Sequence, residues 1–154
     1  MSDFAKLRAR AHAGLRALAA HPQVDANRLV SIGYCLGGTF SLELARDGAA
    51  LRGIVSFHGG LQTQRPAVAG QVKAKILVCH GNDDPFVSAE HVASLITELN
   101  ETGADWQLIN YGGTVHSFTN PEADSRGLPA LKYNKLSDER SWKAMLDLFD
   151  EILA

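Results

Sequence analysis

The feature that most constrains this chain is a change of hydrophobic period in the middle of Arg28-Leu29-Val30-Ser31-Ile32-Gly33-Tyr34-Cys35-Leu36-Gly37-Gly38. Residues 28–34 are apolar and β-rich. From Leu36 onward, Leu36, Phe40 and Leu44 recur at helical spacing up to Gly48, a residue suited to cap a helix C-terminus. A strand that passes directly into a helix must turn within two or three residues. Side chains at the flanking positions 33 and 37 are expected to collide with the neighbouring strand and helix. Cys35 stands at the apex of this turn. The backbone N–H of Leu36 falls in the first helical turn, where donors have no intrahelical acceptor.

The rest of the chain alternates in the same way. Gly53–His58 and Lys75–His80 are short apolar runs without alternation, as expected of strands covered on both faces of a parallel sheet. Trp106–Tyr111 alternates more and reads as a strand with one less-buried face. Ser88 is placed to cap a helix with the stripe Val92, Leu95, Ile96 and Leu99, ending at Gly103. A last helix, from near Ser137, carries Trp142, Met145, Leu146, Phe149, Ile152 and Leu153. At the N-terminus, Lys6, Arg8, Arg10 and Arg16 stand against Asp3, a faint likeness to a transit peptide. The helical spacing of Phe4, Leu7, Ala11, Leu15 and Leu18 instead predicts an amphipathic helix on a core. Together these elements predict a single α/β domain over residues 1–154: an open, mostly parallel sheet of about four strands with helices on both faces. Sites in such sheets form where loops leave the carboxyl ends of strands. The long connection Gly112–Lys135 is of a length usually functional or mobile.

Composition excludes several classes. The net charge is -2, and no Lys/Arg stripe gives nucleic acid or an anionic membrane an electrostatic footing. No apolar run approaches the roughly 18 residues of a membrane span. The two cysteines form neither a disulfide framework nor a metal-ligand pattern. Cys79, inside Ile76-Leu77-Val78-Cys79, reads as a small buried hydrophobe. Both thiols can persist in a reducing cytoplasm, the expected location. No metal or organic cofactor is expected.

Gly33-Tyr34-Cys35-Leu36-Gly37 is G-x-C-x-G, the thiol form of the nucleophile elbow. A cysteine at a helix N-terminus is favoured as thiolate, and the Leu36 N–H could stabilise a developing oxyanion. Gly81-Asn82-Asp83-Asp84-Pro85 places carboxylates after the third strand, and His116 follows the fourth within Gly112-Gly113-Thr114-Val115-His116-Ser117-Phe118. Nucleophile, acid and histidine thus occur in the order that the α/β-hydrolase fold requires.

Gly-Tyr-Cys-Leu-Gly-Gly at 33–38, Phe-His-Gly-Gly at 57–60, Gly-Asn-Asp-Asp-Pro-Phe-Val at 81–87 and His-Ser-Phe at 116–118 resemble the dienelactone hydrolase family of the α/β-hydrolase superfamily. The resemblance implies Cys35 as nucleophile, His116 as base and Asp84, before Pro-Phe-Val, as the residue orienting it. Asp83 is then a solvent-facing or loop-stabilising carboxylate. The implied chemistry is hydrolysis of a small-molecule ester or lactone through a thioester.

The chain matches only the later part of the family's pattern. Upstream of Arg28 there is a helix and a short turn, with no room for the early strands or for the loop that brings a second oxyanion donor. The family's early glutamate and arginine have no counterpart. Asn120 stands four residues after His116, where the family has an arginine gripping the substrate carboxylate. Without an earlier strand, 28–34 is an unpaired apolar edge, expected to be covered by self-association, strand exchange or a partner chain. His58-Gly59-Gly60 looks like a lipase oxyanion loop, but follows the elbow instead of preceding it. His58 is therefore expected to line the site rim or to be satisfied in the core. His80 and His91 read as structural or solvated. A rival reading is a weak or inert remnant serving as a binding or assembly subunit; a redox-sensing thiol ranks below it.

Overall fold

Strands that are apolar on both faces need cover on both faces, and that requirement sets the layers. The computed structural model describes residues 4–154. Its strands β1 (Val30–Tyr34), β2 (Gly53–Phe57), β3 (Lys75–Gly81) and β4 (Trp106–Tyr111) pair in the order β1-β2-β3-β4. Every pairing is parallel, so the sheet is wholly rather than mostly parallel. Its helices are α1 (Phe4–Ala19), α2 (Leu36–Arg46), α3 (Ala89–Thr102) and α4 (Lys135–Leu153).

A sequential parallel order with one crossover hand sends successive connections over the same face. Leu42 of α2 and Leu95 and Leu99 of α3 accordingly share one apolar cluster with Ile54, Ile76 and Val78, and α1 packs against α2. The other face is closed by α4, whose Met145, Leu148 and Phe149 meet Val55, Phe57, Leu77 and Cys79. Successive residues of β2 and β3 thus enter two different cores, which is why these runs show no alternation in polarity. Cys79 is fully buried, as expected, and desolvation pushes its thiol up to about 12.

Several expectations shift by a few residues. β1 begins at Val30 because the Arg28 N–H is held in a turn by the Asp25 carbonyl (3.1 Å). β2 ends at Phe57, since His58 takes a positive φ. α4 starts at Lys135 with Asn134 as cap, its side chain accepting from the Ser137 N–H. Ser88 and Gly103 close α3 at its two ends as expected.

A larger difference lies in how much of the apolar stripes of α2 and α4 is buried. Of the stripe on α2, Leu36 is exposed and Phe40 is half-buried beside a groove, while Leu44 is buried in the same cluster as Leu42 and Ala45. Between sheet and α1 lie Leu42, Ala45 and two charges, Glu43 and Arg46. Arg8 Nε donates to Glu43 Oε2 and Arg46 Nη1 to Glu43 Oε1, both at 2.8 Å. Arg46 Nη2 also reaches Glu98 Oε2 at 2.9 Å, joining α1, α2 and α3. Buried charges persist only when paired, and here each has its partner. On α4, Trp142 and Leu146 are exposed while Ser141 is buried, and Trp142 overhangs a pocket instead of the sheet.

β1 is a sheet edge. Beside it, residues of α1, β1 and α2, among them Leu15, Leu18, Ile32, Gly37 and Phe40, line a groove of about 420 Å³. Among the described residues no helix is long and apolar enough to cross a membrane.

Candidate active site

All four strands run the same way, so their carboxyl ends meet on one side of the sheet, and each is followed by a residue of the site. Cys35 follows β1 at φ 52° and ψ -120°, at the point where the chain turns into α2. Its N–H is anchored to the Phe57 carbonyl at 3.0 Å. The Tyr34 ring stacks on Phe57 at 4.7 Å, fixing the end of the strand beneath. The thiol is left exposed.

Of the two flanking glycines, Gly33 is crowded as expected and Gly37 is not. A Cβ on Gly33 would lie 2.0 Å from the Gly37 carbonyl carbon and oxygen, so position 33 must be glycine. At Gly37 an added Cβ would meet nothing within 4 Å, because this residue faces the open groove beside β1. The second crowded position is Gly38, whose Cβ would fall 2.5 Å from Ser56 Oγ.

Asp84 and His116 converge on the thiol. Asp84 Oδ1 accepts from the Phe86 N–H at 2.9 Å, which fixes the carboxylate, and Oδ2 lies 2.7 Å from His116 Nδ1. His116 Nε2 lies 3.2 Å from Cys35 Sγ. Asp84 and His116 are 3% and 8% exposed, so this polar line runs inward from a reachable thiol. Burial works against a charged His116, but hydrogen bonds to Asp84 and Cys35 outweigh it and the imidazole pKa is raised. Asp83 is exposed and accepts from the Asn82 side chain, the loop role expected of it.

The connection 112–135 is ordered around His116. Residues 116 and 131 form a parallel bridge, and the Asn134 N–H donates to the Phe118 carbonyl at 3.0 Å. The same Asn134 caps α4, so the histidine loop and the last helix are fastened together.

Sequence reasoning left His58 undecided between rim and core, and it occupies both. It is 3% exposed, yet it lines the pocket containing Cys35. Nδ1 lies 3.2 Å from the Cys35 backbone nitrogen and Nε2 lies 2.9 Å from Thr119 Oγ1. Its ring stands edge-on to His116 at 4.9 Å. Burial first, then His116, lowers its pKa to about 4, so it is neutral near pH 7.

The pocket above the thiol has a volume of about 690 Å³, and its far wall includes Thr119, Asn120, Asp138, Glu139 and Trp142. Cys35, His58 and Ser117 are the non-glycine residues with positive φ among those described, and all three line this pocket. Such strain persists where the surroundings over-determine it and gathers at functional sites. No sequence signal marks Thr119; Ser117 lies within the His-Ser-Phe motif and His58 within Phe-His-Gly-Gly, neither of which assigns it a role. His91 serves in the capping box of α3, and His80 is buried at the end of β3. Among the described residues no three His, Cys, Asp or Glu side chains are grouped to hold a metal ion.

A parallel sheet with a strained strand-to-helix turn, and an acid and a histidine arriving from later strands, is the architecture of an α/β hydrolase. The chain belongs to the dienelactone hydrolase family, whose sequence model matches residues 2–153. An uncharacterized protein of Caenorhabditis elegans is 36% identical over 154 residues, covering 97% of this chain and 96% of that protein. A Bradyrhizobium protein named for 2-oxo-3-(5-oxofuran-2-ylidene)propanoate lactonase activity is 29% identical over 143 residues, 87% of this chain and 54% of that one. The crystal structure of a dienelactone hydrolase-like promiscuous phosphotriesterase from metagenomic libraries superposes with a TM-score of 0.91 at 46% identity. That match covers 97% of this chain and 63% of the other, so this chain spans little more than half the length of these two relatives.

Proposed function

We propose that the chain hydrolyses carboxylic esters or lactones with Cys35 as nucleophile, His116 as general base and acid, and Asp84 orienting His116. The observation that carries this reading is the continuous line Asp84 Oδ2 to His116 Nδ1 (2.7 Å) and His116 Nε2 to Cys35 Sγ (3.2 Å). Asp84 holds the ring proton on Nδ1, which leaves Nε2 free to take the thiol proton. The thiolate adds to the carbonyl carbon, and the Leu36 N–H receives the oxyanion. Collapse expels the alkoxide, which takes the proton from His116 Nε2 and leaves an acyl thioester on Cys35. A water that gives its proton to His116 then attacks the thioester, and the acid leaves as sulfur regains its proton. An alkoxide leaves such an intermediate more readily than an amine does, which favours esters and lactones over amides.

Family membership and the reachable thiol weigh against a purely binding or assembly role. The phosphotriesterase relative supplies a second substrate class to assay, since the same thiolate could attack phosphorus. The test is turnover of a p-nitrophenyl ester by the chain and by Cys35→Ala, with mass spectrometry for an acylated Cys35. Cys35-dependent release and an acyl adduct are expected. Equal release by both proteins refutes the reading.

A further inference from the structure

Three groups in the pocket are connected in a way that fixes where their protons lie. The Cys35 N–H, already bonded to the Phe57 carbonyl, also points at His58 Nδ1 from 3.2 Å. A proton on Nδ1 would face that N–H head-on, so Nδ1 accepts and the ring proton sits on Nε2. Nε2–H then donates to Thr119 Oγ1 at 2.9 Å. Since Thr119 Oγ1 accepts this bond, its own hydroxyl hydrogen must point elsewhere. No described residue accepts it, and Thr119 lines the pocket beside Cys35. The pocket wall carries the carboxylates of Asp138 and Glu139 and no lysine or arginine.

Resting on the hydrolase reading above, we infer that Thr119 is a specificity residue whose hydroxyl, aimed by His58, donates to a neutral acceptor oxygen on the substrate. The substrate class is an ester or lactone bearing an ether, keto or hydroxyl oxygen near the reacting carbonyl, not a carboxylate. His58 is a positioning residue: it acts through Thr119 and through the backbone of Cys35. A hydroxyl that accepts one bond turns its hydrogen away from that donor, here from His58, and an acceptor placed on the open side gains a bond that an isosteric methylene cannot make.

The experiment compares p-nitrophenyl methoxyacetate with p-nitrophenyl butyrate, which differ by one oxygen in place of a methylene. Intrinsic reactivity cancels when the ratio of their kcat/KM values is compared between variants. Thr119→Val is expected to lower that ratio about three- to tenfold, and Thr119→Ser to keep it. In parallel, nitrogen-15 histidine spectra of the unmodified chain should show His58 as the Nε2–H tautomer, a readout independent of turnover. An unchanged ratio in Thr119→Val, or a His58 carrying its proton on Nδ1, overturns the inference. Absence of Cys35-dependent turnover on both esters instead refutes the hydrolase reading and with it the substrate assignment, while the tautomer result still decides the role of His58.

Discussion

Replacing Asp84 by Asn keeps the size of the side chain and removes one acceptor and one charge. In the native site the two carboxylate oxygens each accept one bond, from the Phe86 N–H at 2.9 Å and from His116 Nδ1 at 2.7 Å. Asparagine has a single accepting oxygen. If that oxygen keeps Phe86, the amide hydrogens face Nδ1, the ring proton shifts to Nε2, and the nitrogen beside Cys35 Sγ can no longer take a proton. If the amide turns over, its hydrogens oppose the Phe86 N–H and leave that donor without a partner, at a cost of about 1–3 kcal/mol. The blocked tautomer therefore dominates by that margin. Loss of the carboxylate beside the forming imidazolium removes a charge-assisted bond, a further ~1.5–3 kcal/mol. Together these correspond to a fall in kcat/KM centred near ~1,000-fold. The assay is p-nitrophenyl ester hydrolysis by Asp84→Asn and the parent chain, with thermal melts to show that both fold. An Asn variant that melts normally and keeps kcat/KM within about fivefold would refute the orienting role of Asp84.

Three further outcomes test other parts of the structure. Gly33→Ala is expected to destabilise the fold by more than about 4 kcal/mol, since its Cβ would overlap the Gly37 carbonyl, whereas Gly37→Ala should be neutral or slightly stabilising. Chemical denaturation separates the two, and equal effects would mean that the turn is not packed as described. His58, lowered to about 4 mainly by burial, and His80, lowered by burial too, are both more readily protonated in the unfolded chain. The unfolded state therefore binds extra protons between pH 4 and 6.5, and stability should fall as pH drops through that window, by about 3 kcal/mol for His58. His116 has the opposite sign: its contribution is intact below the unfolded value of 6.5 and is lost as pH rises past its raised value. Urea melts across this range should show a shallower acid limb for His58→Gln, and identical limbs would refute the assignment. Finally, self-association along the open edge of β1 predicts a dimer by native mass spectrometry that Ile32→Lys weakens; a parent chain that stays monomeric would refute it.

The line of inheritance from sequence to site is clearest at Cys35. Its neighbours announce a strand, a turn and a helix by their own period and by glycine, so the apex residue could be named without any long-range contact. The same holds for Asp84 and His116, each marked by its place just after a strand. Family motifs then separated Asp84 from Asp83, which local pattern alone left equivalent. The helix faces were less legible. Of the stripe Leu36, Phe40 and Leu44 only Leu44 is fully buried, and other residues of α2 are buried too, because that helix is covered by the sheet on one flank and by α1 on the other. Glu43 and Arg46 are polar in sequence yet buried, which is possible only because Arg8 and Glu98 arrive from helices far along the chain.

The sequence by itself therefore determined the element order, the parallel sheet and the place of nucleophile, acid and histidine at its carboxyl edge, since these follow from local period, turn chemistry and chain order, with the family motif choosing Asp84 over Asp83. Only the tertiary structure decided what surrounds the thiol. The placing of His58 between the Cys35 backbone and Thr119, the exposure of Trp142 and the freedom at Gly37 depend on distances between segments that no local pattern encodes. Hydrophobic period says which residues leave water; it does not say which polar groups meet once they have left.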